Sequence, residues 1–297
     1  MEKYKEIHLE KPNTLSHFLS EKEQQEIVSL KITGFIGRQD FDDILDSMCD
    51  LEGEYDDDDN FIPDYEFTAA IRHLDLGDAT YVDGDELPYF GYHTQLETVI
   101  LPHGIKSTLE EDDTGFSESE SLRTIIFPEG LKIIGGFHSC PKLTGIILPE
   151  GLEKIESNAF GGCEAITSIR IPASVKDMDG SCFAGCNITS YEVDEGNSYY
   201  TAIDGVIYTK DLKELVAFPS NYPVKHYLVP PSTKIIGSRA FWSSNVDTVK
   251  LPTGLTTIGY GAFEFSAISR INIPDSVKEI EEDAFEFCRG LNKTGKA

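Results

Sequence analysis

Four cysteines, Cys140, Cys163, Cys186 and Cys288, invite thiolate metal ligation or disulfide pairing. The chain has no Cys-x-x-Cys pair, and none of the seven histidines recurs in step with the cysteines, so a zinc site has no support in the spacing. The run Asp56, Asp57, Asp58 and Asp59 offers carboxylate oxygens of the kind a hard cation such as calcium takes. It lacks the sixth-position glycine and twelfth-position glutamate of an EF-hand, and it reads equally as a solvated acidic loop, as does Glu110-Glu111-Asp112-Asp113. No His-Glu-x-x-His run, Gly-x-Ser-x-Gly elbow or phosphate-binding glycine loop is present. With 52 acidic residues, some pair will lie close by chance, so abundance alone does not specify a glycosidase. The expectation is a chain without catalytic residues or cofactor, the acidic run being a weak calcium candidate.

The cysteines make sense once the elements around them are aligned. Short apolar runs end in proline at Val99-Ile100-Leu101-Pro102, Ile125-Ile126-Phe127-Pro128, Ile146-Ile147-Leu148-Pro149 and Ile169-Arg170-Ile171-Pro172. The series resumes at Tyr227-Leu228-Val229-Pro230, Val249-Lys250-Leu251-Pro252 and Ile271-Asn272-Ile273-Pro274. Eleven residues after five of these prolines stands a phenylalanine: Phe160, Phe183, Phe241, Phe263 and Phe285. The four cysteines each follow a unit's aromatic end and read as a column of small thiols inside successive turns. Disulfides between neighbouring turns are sterically allowed, and the spacing leaves that open. Each apolar-x-apolar run is a short strand with two inward side chains and one outward, closed by a proline that cannot donate to a ladder. A unit this short buries its apolar face only by stacking on its neighbours at about 4.8 Å per strand, which makes a solenoid with a parallel sheet along one side.

Over residues 70–290 this pattern resembles the BspA-like leucine-rich repeat family, found mainly on bacterial surface proteins. The resemblance implies an α/β solenoid, a right-handed leucine-rich repeat superhelix with short parallel strands on one face and a helical N-terminal cap. It also implies a non-enzymatic recognition or adhesion protein, at the cell surface or secreted, that binds a protein or glycan. The segment from Asn197 to Pro219 resembles a recurrent insertion of that family, and its Asp204-Gly205 step suggests a β-hairpin at about 195–225 projecting from the stack. The unit after Pro102 departs from the pattern: its phenylalanine, Phe116, comes 14 residues later.

Residues 1–69 lack the period and read as an N-terminal cap, with the solenoid over 70–297. Ser16–Gln25 reads as a short helix, and Phe41, Ile44, Leu45 and Met48 as an amphipathic helix capped by Asp40. Ile27-x-x-Leu30-x-Ile32 and Ile71-x-x-Leu74-x-Leu76 imitate repeat strands. Nothing in Met1–Glu6 or beyond reads as a signal peptide, which leaves a cytoplasmic, intracellular scaffold as the alternative to a surface protein. The last turn, Phe285–Cys288, has no obvious cap, which would suit self-association through it.

The outward position of each strand is the place to look for a ligand. Asp75, Ile100, Ile126, Ile147, Arg170, Glu192, Leu228, Lys250 and Asn272 occupy it in turn, so three adjacent turns present isoleucine. An exposed apolar strip of that kind marks an interaction site, with Arg170, Glu192, Lys250 and Asn272 as a polar continuation. Tyr199, Tyr200 and Tyr208 near the hairpin either anchor a partner, stack on sugar rings as a carbohydrate-binding module would, or fill the seam between insertion and scaffold. The lone Trp242 follows a ladder phenylalanine and reads as partly exposed. With 25 basic against 52 acidic residues the formal charge is −27, which repels phosphate backbones and anionic membranes. No run approaches the ~18 apolar residues of a membrane helix.

Overall fold

The computed structural model describes residues 3–45, 48, 53–55, 61–63, 71–88, 95–109 and 115–291. The chain divides into two compact units, Met1–Leu152 and Glu153–Ala297.

In the first unit, Tyr4–Leu9, Ser29–Ile36, His73–Tyr81, Thr98–Ile100 and Thr124–Ile126 form one five-stranded parallel sheet in chain order. The register stacks Leu74, Val99 and Ile125 inward, one above the other, and Asp75, Ile100 and Ile126 outward. The N-terminal segment thus enters the stack as strands, including Tyr4–Leu9, where Ile7 and Leu9 alone carry the buried alternation. Its helices are small. Glu21–Glu26 is held by a capping box, the Ser20 amide donating to Glu23 and the Glu23 amide to the Ser20 hydroxyl. The expected Phe41–Met48 helix is present in altered form: three α-helical residues, Arg38–Asp40, lead into a π-helical Phe41–Leu45, Met48 is again α-helical, and Phe41, Ile44, Leu45 and Met48 are all buried. Asp40 caps from the third helical position: buried, it accepts hydrogen bonds from the amide of the N-cap residue Gly37 and from those of Asn13 and Leu15, and so ties two loops together.

In the second unit each turn carries two strand columns. One runs through His226–Leu228, Thr248–Lys250 and Arg270–Asn272; the other through Ile235–Ile236, Thr257–Ile258 and Glu279–Ile280, all parallel. The returning legs of these described turns hold no helix. The reason is local: Asn158, Arg239, Gly261 and Asp283, each two residues before a ladder phenylalanine, adopt left-handed φ of 60°, 52°, 56° and 57°. A left-handed residue every turn breaks the right-handed run that a helix needs.

Between the columns the phenylalanines stack. Phe160 and Phe183 lie 5.4 Å apart and within 2° of parallel; Phe218, Phe241, Phe263 and Phe285 continue at 4.5, 4.7 and 5.2 Å. The first unit has its own pair, Phe116 on Phe137 at 5.6 Å. Four thiols serve this core as hydrogen-bond donors. Cys140, Cys186 and Cys288 each donate to the carbonyl of the preceding turn's phenylalanine, Phe116, Phe160 and Phe263, all at 3.1 Å, and Cys182 to that of Ile155.

The insertion is not a projecting hairpin. Tyr200–Ile203 and Val206–Thr209 pair antiparallel across the Asp204-Gly205 turn, whose φ values of 50° and 78° suit a two-residue hairpin loop. A third strand, Glu214–Ala217, pairs antiparallel with the second and parallel with Ile235–Ile236, which embeds the meander in the stack. Asn197 anchors its start. Its buried amide donates to the carbonyls of Pro172 and Val175 and accepts from the amides of Tyr199 and Tyr200, at 2.8 to 2.9 Å.

Candidate binding surface

The outward strand positions of the first unit are less uniform than three isoleucines in a row. Ile126 is 49% exposed and Ile147 83% exposed. The Thr144 amide donates to the Arg123 carbonyl at 3.0 Å, which sets the two runs side by side with Ile126 and Ile147 at equivalent places. Gly145, at φ 60°, interrupts extended pairing just before Ile147, so residues 146–148 alternate in burial without forming a ladder strand. Ile100 is half-buried rather than open. A Cβ on Gly77 would come within 2.8 Å of its Cγ2, so the bare glycine next to Asp75 is what lets Ile100 fold down onto the sheet. Asp75 in turn accepts from the Gly77 amide and faces Lys31 at 3.7 Å.

In the second unit, Arg170 and Glu192 stand directly opposite in register, yet Arg170 pairs with Asp194. Asp194 is held below the usual carboxylate range, first by the Gly196 amide and then by the Arg170 guanidinium. Leu228, Lys250 and Asn272 lie in one register row and are all exposed, Leu228 at 63%. Asp247, beneath this face, is bonded by the hydroxyls of Ser269 and Thr248.

Of the three uses the sequence leaves open for the hairpin tyrosines, the structure shows the filled seam for all but Tyr199. Tyr199 is 52% exposed, but Tyr200 and Tyr208 are buried, as are Tyr191 and Tyr222. Tyr208 and Tyr227 share a buried hydroxyl pair at 2.7 Å, Tyr200 donates to the Lys176 carbonyl, and Tyr222 to that of Asp204. Burial pushes the phenols of Tyr200 and Tyr227 up to about 12, and that of Tyr208 further. These rings fill the seam between meander and stack; a row of open rings able to stack on a glycan is not formed there. Trp242 is half-buried, as its position suggested.

The thiols fit no nucleophile. Cys182 and Cys186 are buried and their thiols are pushed well up by that burial, the reverse of an activated cysteine. Among the described residues no group of three His, Cys, Asp or Glu side chains is placed to hold a metal ion. The acidic run Asp56, Asp57, Asp58 and Asp59, Cys49 and the cluster at 110–113 lie outside the described residues. No helix among the described residues is long and apolar enough to cross a membrane.

Two solved bacterial structures are similar to this chain. The pneumococcal vaccine antigen PcpA superposes with a TM-score of 0.57 at 25% identity, over 73% of this chain and 62% of that one. A leucine-rich repeat protein of Eubacterium ventriosum gives 0.49 at 20% identity, over 71% of this chain and 55% of that one. This chain therefore spans roughly three-fifths of the length of these relatives. No curated protein matches it in sequence. The sequence pattern of the BspA type leucine rich repeat region matches residues 88–202 and 214–294, in six copies. These repeats, folded as stacked parallel strands, place the chain in the BspA-type leucine-rich repeat family.

Proposed function

We propose that this chain is a non-enzymatic recognition protein, displayed at the cell surface or secreted, that binds a protein partner through its outward strand positions. The carrying observation is the adjacent exposure of Ile126 and Ile147 in a chain of net charge −27. Each isoleucine covered by a partner would contribute about 1.5–3 kcal/mol, and a pair at the centre of a contact has the makings of a hot spot. Membership of a repeat family whose proteins are often found at the surface, and likeness to a vaccine antigen, support the location. A protein partner is favoured over a glycan because Tyr200 and Tyr208, the rings that would have stacked on sugars, are buried.

The test has two arms. Protease added to intact cells should cleave the protein; protection together with recovery in the cytosolic fraction would replace the surface reading with an intracellular scaffold. Purified protein should then bind a member of an immobilised extracellular-matrix protein panel, and the Ile126→Asp/Ile147→Asp variant should lose that binding at least tenfold with an unchanged melting temperature. Unfolding of the variant would make these residues core, and unchanged binding would move the contact elsewhere.

A further inference from the structure

The second unit carries an aromatic row that the core does not use. Two residues after the ladder phenylalanine, five turns in this unit place a left-handed residue: Gly162, Gly185, Ser243, Phe265 and Phe287, with φ of 73°, 73°, 53°, 57° and 50°. Glycine takes this conformation freely, whereas a residue with a side chain pays about 1–2 kcal/mol. Two turns nevertheless hold phenylalanine, and neither ring is spent on the core: Phe265 is half-buried and Phe287 is 60% exposed. The two rings stack at 4.9 Å and 17°, and Trp242 meets Phe265 edge-on at 5.5 Å. The Trp242 ring also reaches to within 3.7 Å of where a Cβ on Gly185 would stand, so the row extends beside that turn's glycine.

The row has an acidic border. Glu264 and Glu286 immediately precede the two phenylalanines, and the Phe265 amide bonds the Glu286 carbonyl, which keeps the two turns in step. Desolvation raises the Glu286 carboxyl, and so do the neighbouring carboxylates of Asp283, which also hydrogen-bonds it, and Glu264. One neighbouring cation, Arg239, lies over the face of Tyr260, 5.2 Å from its centroid. A partly exposed aromatic row, most open at Phe287 and bordered by carboxylates, suits one chemistry: a cationic side chain, its charge against the exposed ring surface and its N–H groups turned to the carboxylates.

We infer that the Trp242–Phe265–Phe287 row binds a basic peptide segment of a partner protein, arginine side chains lying on the rings between Glu264 and Glu286. The long-range field favours the same partner, since the chain carries −27. This surface is distinct from the one at Ile126 and Ile147.

Trp242 is the single tryptophan, so its emission reports on the row directly. The native chain is titrated with a glycine-spaced arginine hexapeptide, its glutamate counterpart and cellohexaose, and emission is followed. The arginine peptide should give a saturable change, and the other two none. Phe265→Gly/Phe287→Gly restores the residue used at Gly162 and Gly185 and removes no charge. It should melt no lower than the native chain and bind the arginine peptide at least tenfold more weakly. Glu264→Gln/Glu286→Gln should weaken binding and flatten its salt dependence, while Ile126→Asp/Ile147→Asp should bind as the native chain does. Undiminished binding by the glycine variant would show general attraction to an acidic protein and overturn the assignment. Saturation by cellohexaose instead, or no response to the arginine peptide, would overturn it as well.

Discussion

At the residue scale, the tyrosines show how little a side-chain type says about its use. Five of them crowd the insertion in sequence, and the same aromatic-with-hydroxyl chemistry serves a sugar platform or a wet-edged core. What separates the two is the third strand, Glu214–Ala217, which pairs back into the stack and closes the seam over Tyr208. No periodic signal marks that strand, because it belongs to the unit lengthened by the insertion. The burial has a pH signature. A phenol in the unfolded chain ionises near ~10, whereas those of Tyr200 and Tyr227 are pushed up to about 12 and that of Tyr208 further. A raised folded value leaves the stabilisation intact below the unfolded pKa and removes it as pH climbs towards the folded one. The fold should therefore lose stability between about pH 10 and 12. Absorbance at 295 nm should show these phenols ionising together with the loss of far-ultraviolet circular dichroism. Their reversible ionisation near pH 10 with the fold intact would contradict a dry seam.

At the scale of elements, the proline-to-phenylalanine interval exposes most of the stack, since it joins a strand end to a ladder ring in each regular rung. It passes over Phe137 and Phe218, which complete the ladder at non-standard spacing: Phe137 comes nine residues after Pro128, and Phe218 lies in the insertion. It also passes over Asn197, because a single asparagine has no period. That amide satisfies all four of its hydrogen-bonding positions between the rung at 172–175 and the first strand of the meander. Asn197→Ala would take the side-chain donor from the carbonyls of Pro172 and Val175, the first of which keeps the Val175 amide, and the acceptor from the amides of Tyr199 and Tyr200, at about 1–3 kcal/mol for each group left unpaired away from water. The expected outcome is a loss of about 3 kcal/mol in chemical denaturation. Amide exchange should rise first in Tyr200–Ile203 and Val206–Thr209, ahead of Thr248–Lys250. Equal acceleration in all three would show that the meander is not a separately anchored element.

For the whole molecule, the repeat makes stability local and surface cheap to vary. Inward positions are fixed by the ladder, whereas the outward ones run from isoleucine through arginine, glutamate and leucine to lysine, with Glu192 the one acid from Ile100 to Asn272. The large negative charge thus lies mostly off the strand face, and that distribution was legible in the sequence. Actual exposure was not: Ile100 and Ile126 look alike until Gly77 lets one of them settle onto the sheet. Locality itself is testable at Phe263, whose ring lies 4.7 Å from Phe241 and 5.2 Å from Phe285. Phe263→Ala deletes a fully buried ring and should cost about 3–5 kcal/mol. In a quasi-one-dimensional stack each turn answers mainly to its neighbours, so the loss should not spread evenly. Hydrogen exchange should accelerate most in Thr248–Lys250, Thr257–Ile258 and Arg270–Asn272 and leave the five-stranded sheet of Met1–Leu152 near its native protection. A uniform loss of protection across both units would mean that the chain unfolds as one block, and its stability could then not be argued turn by turn.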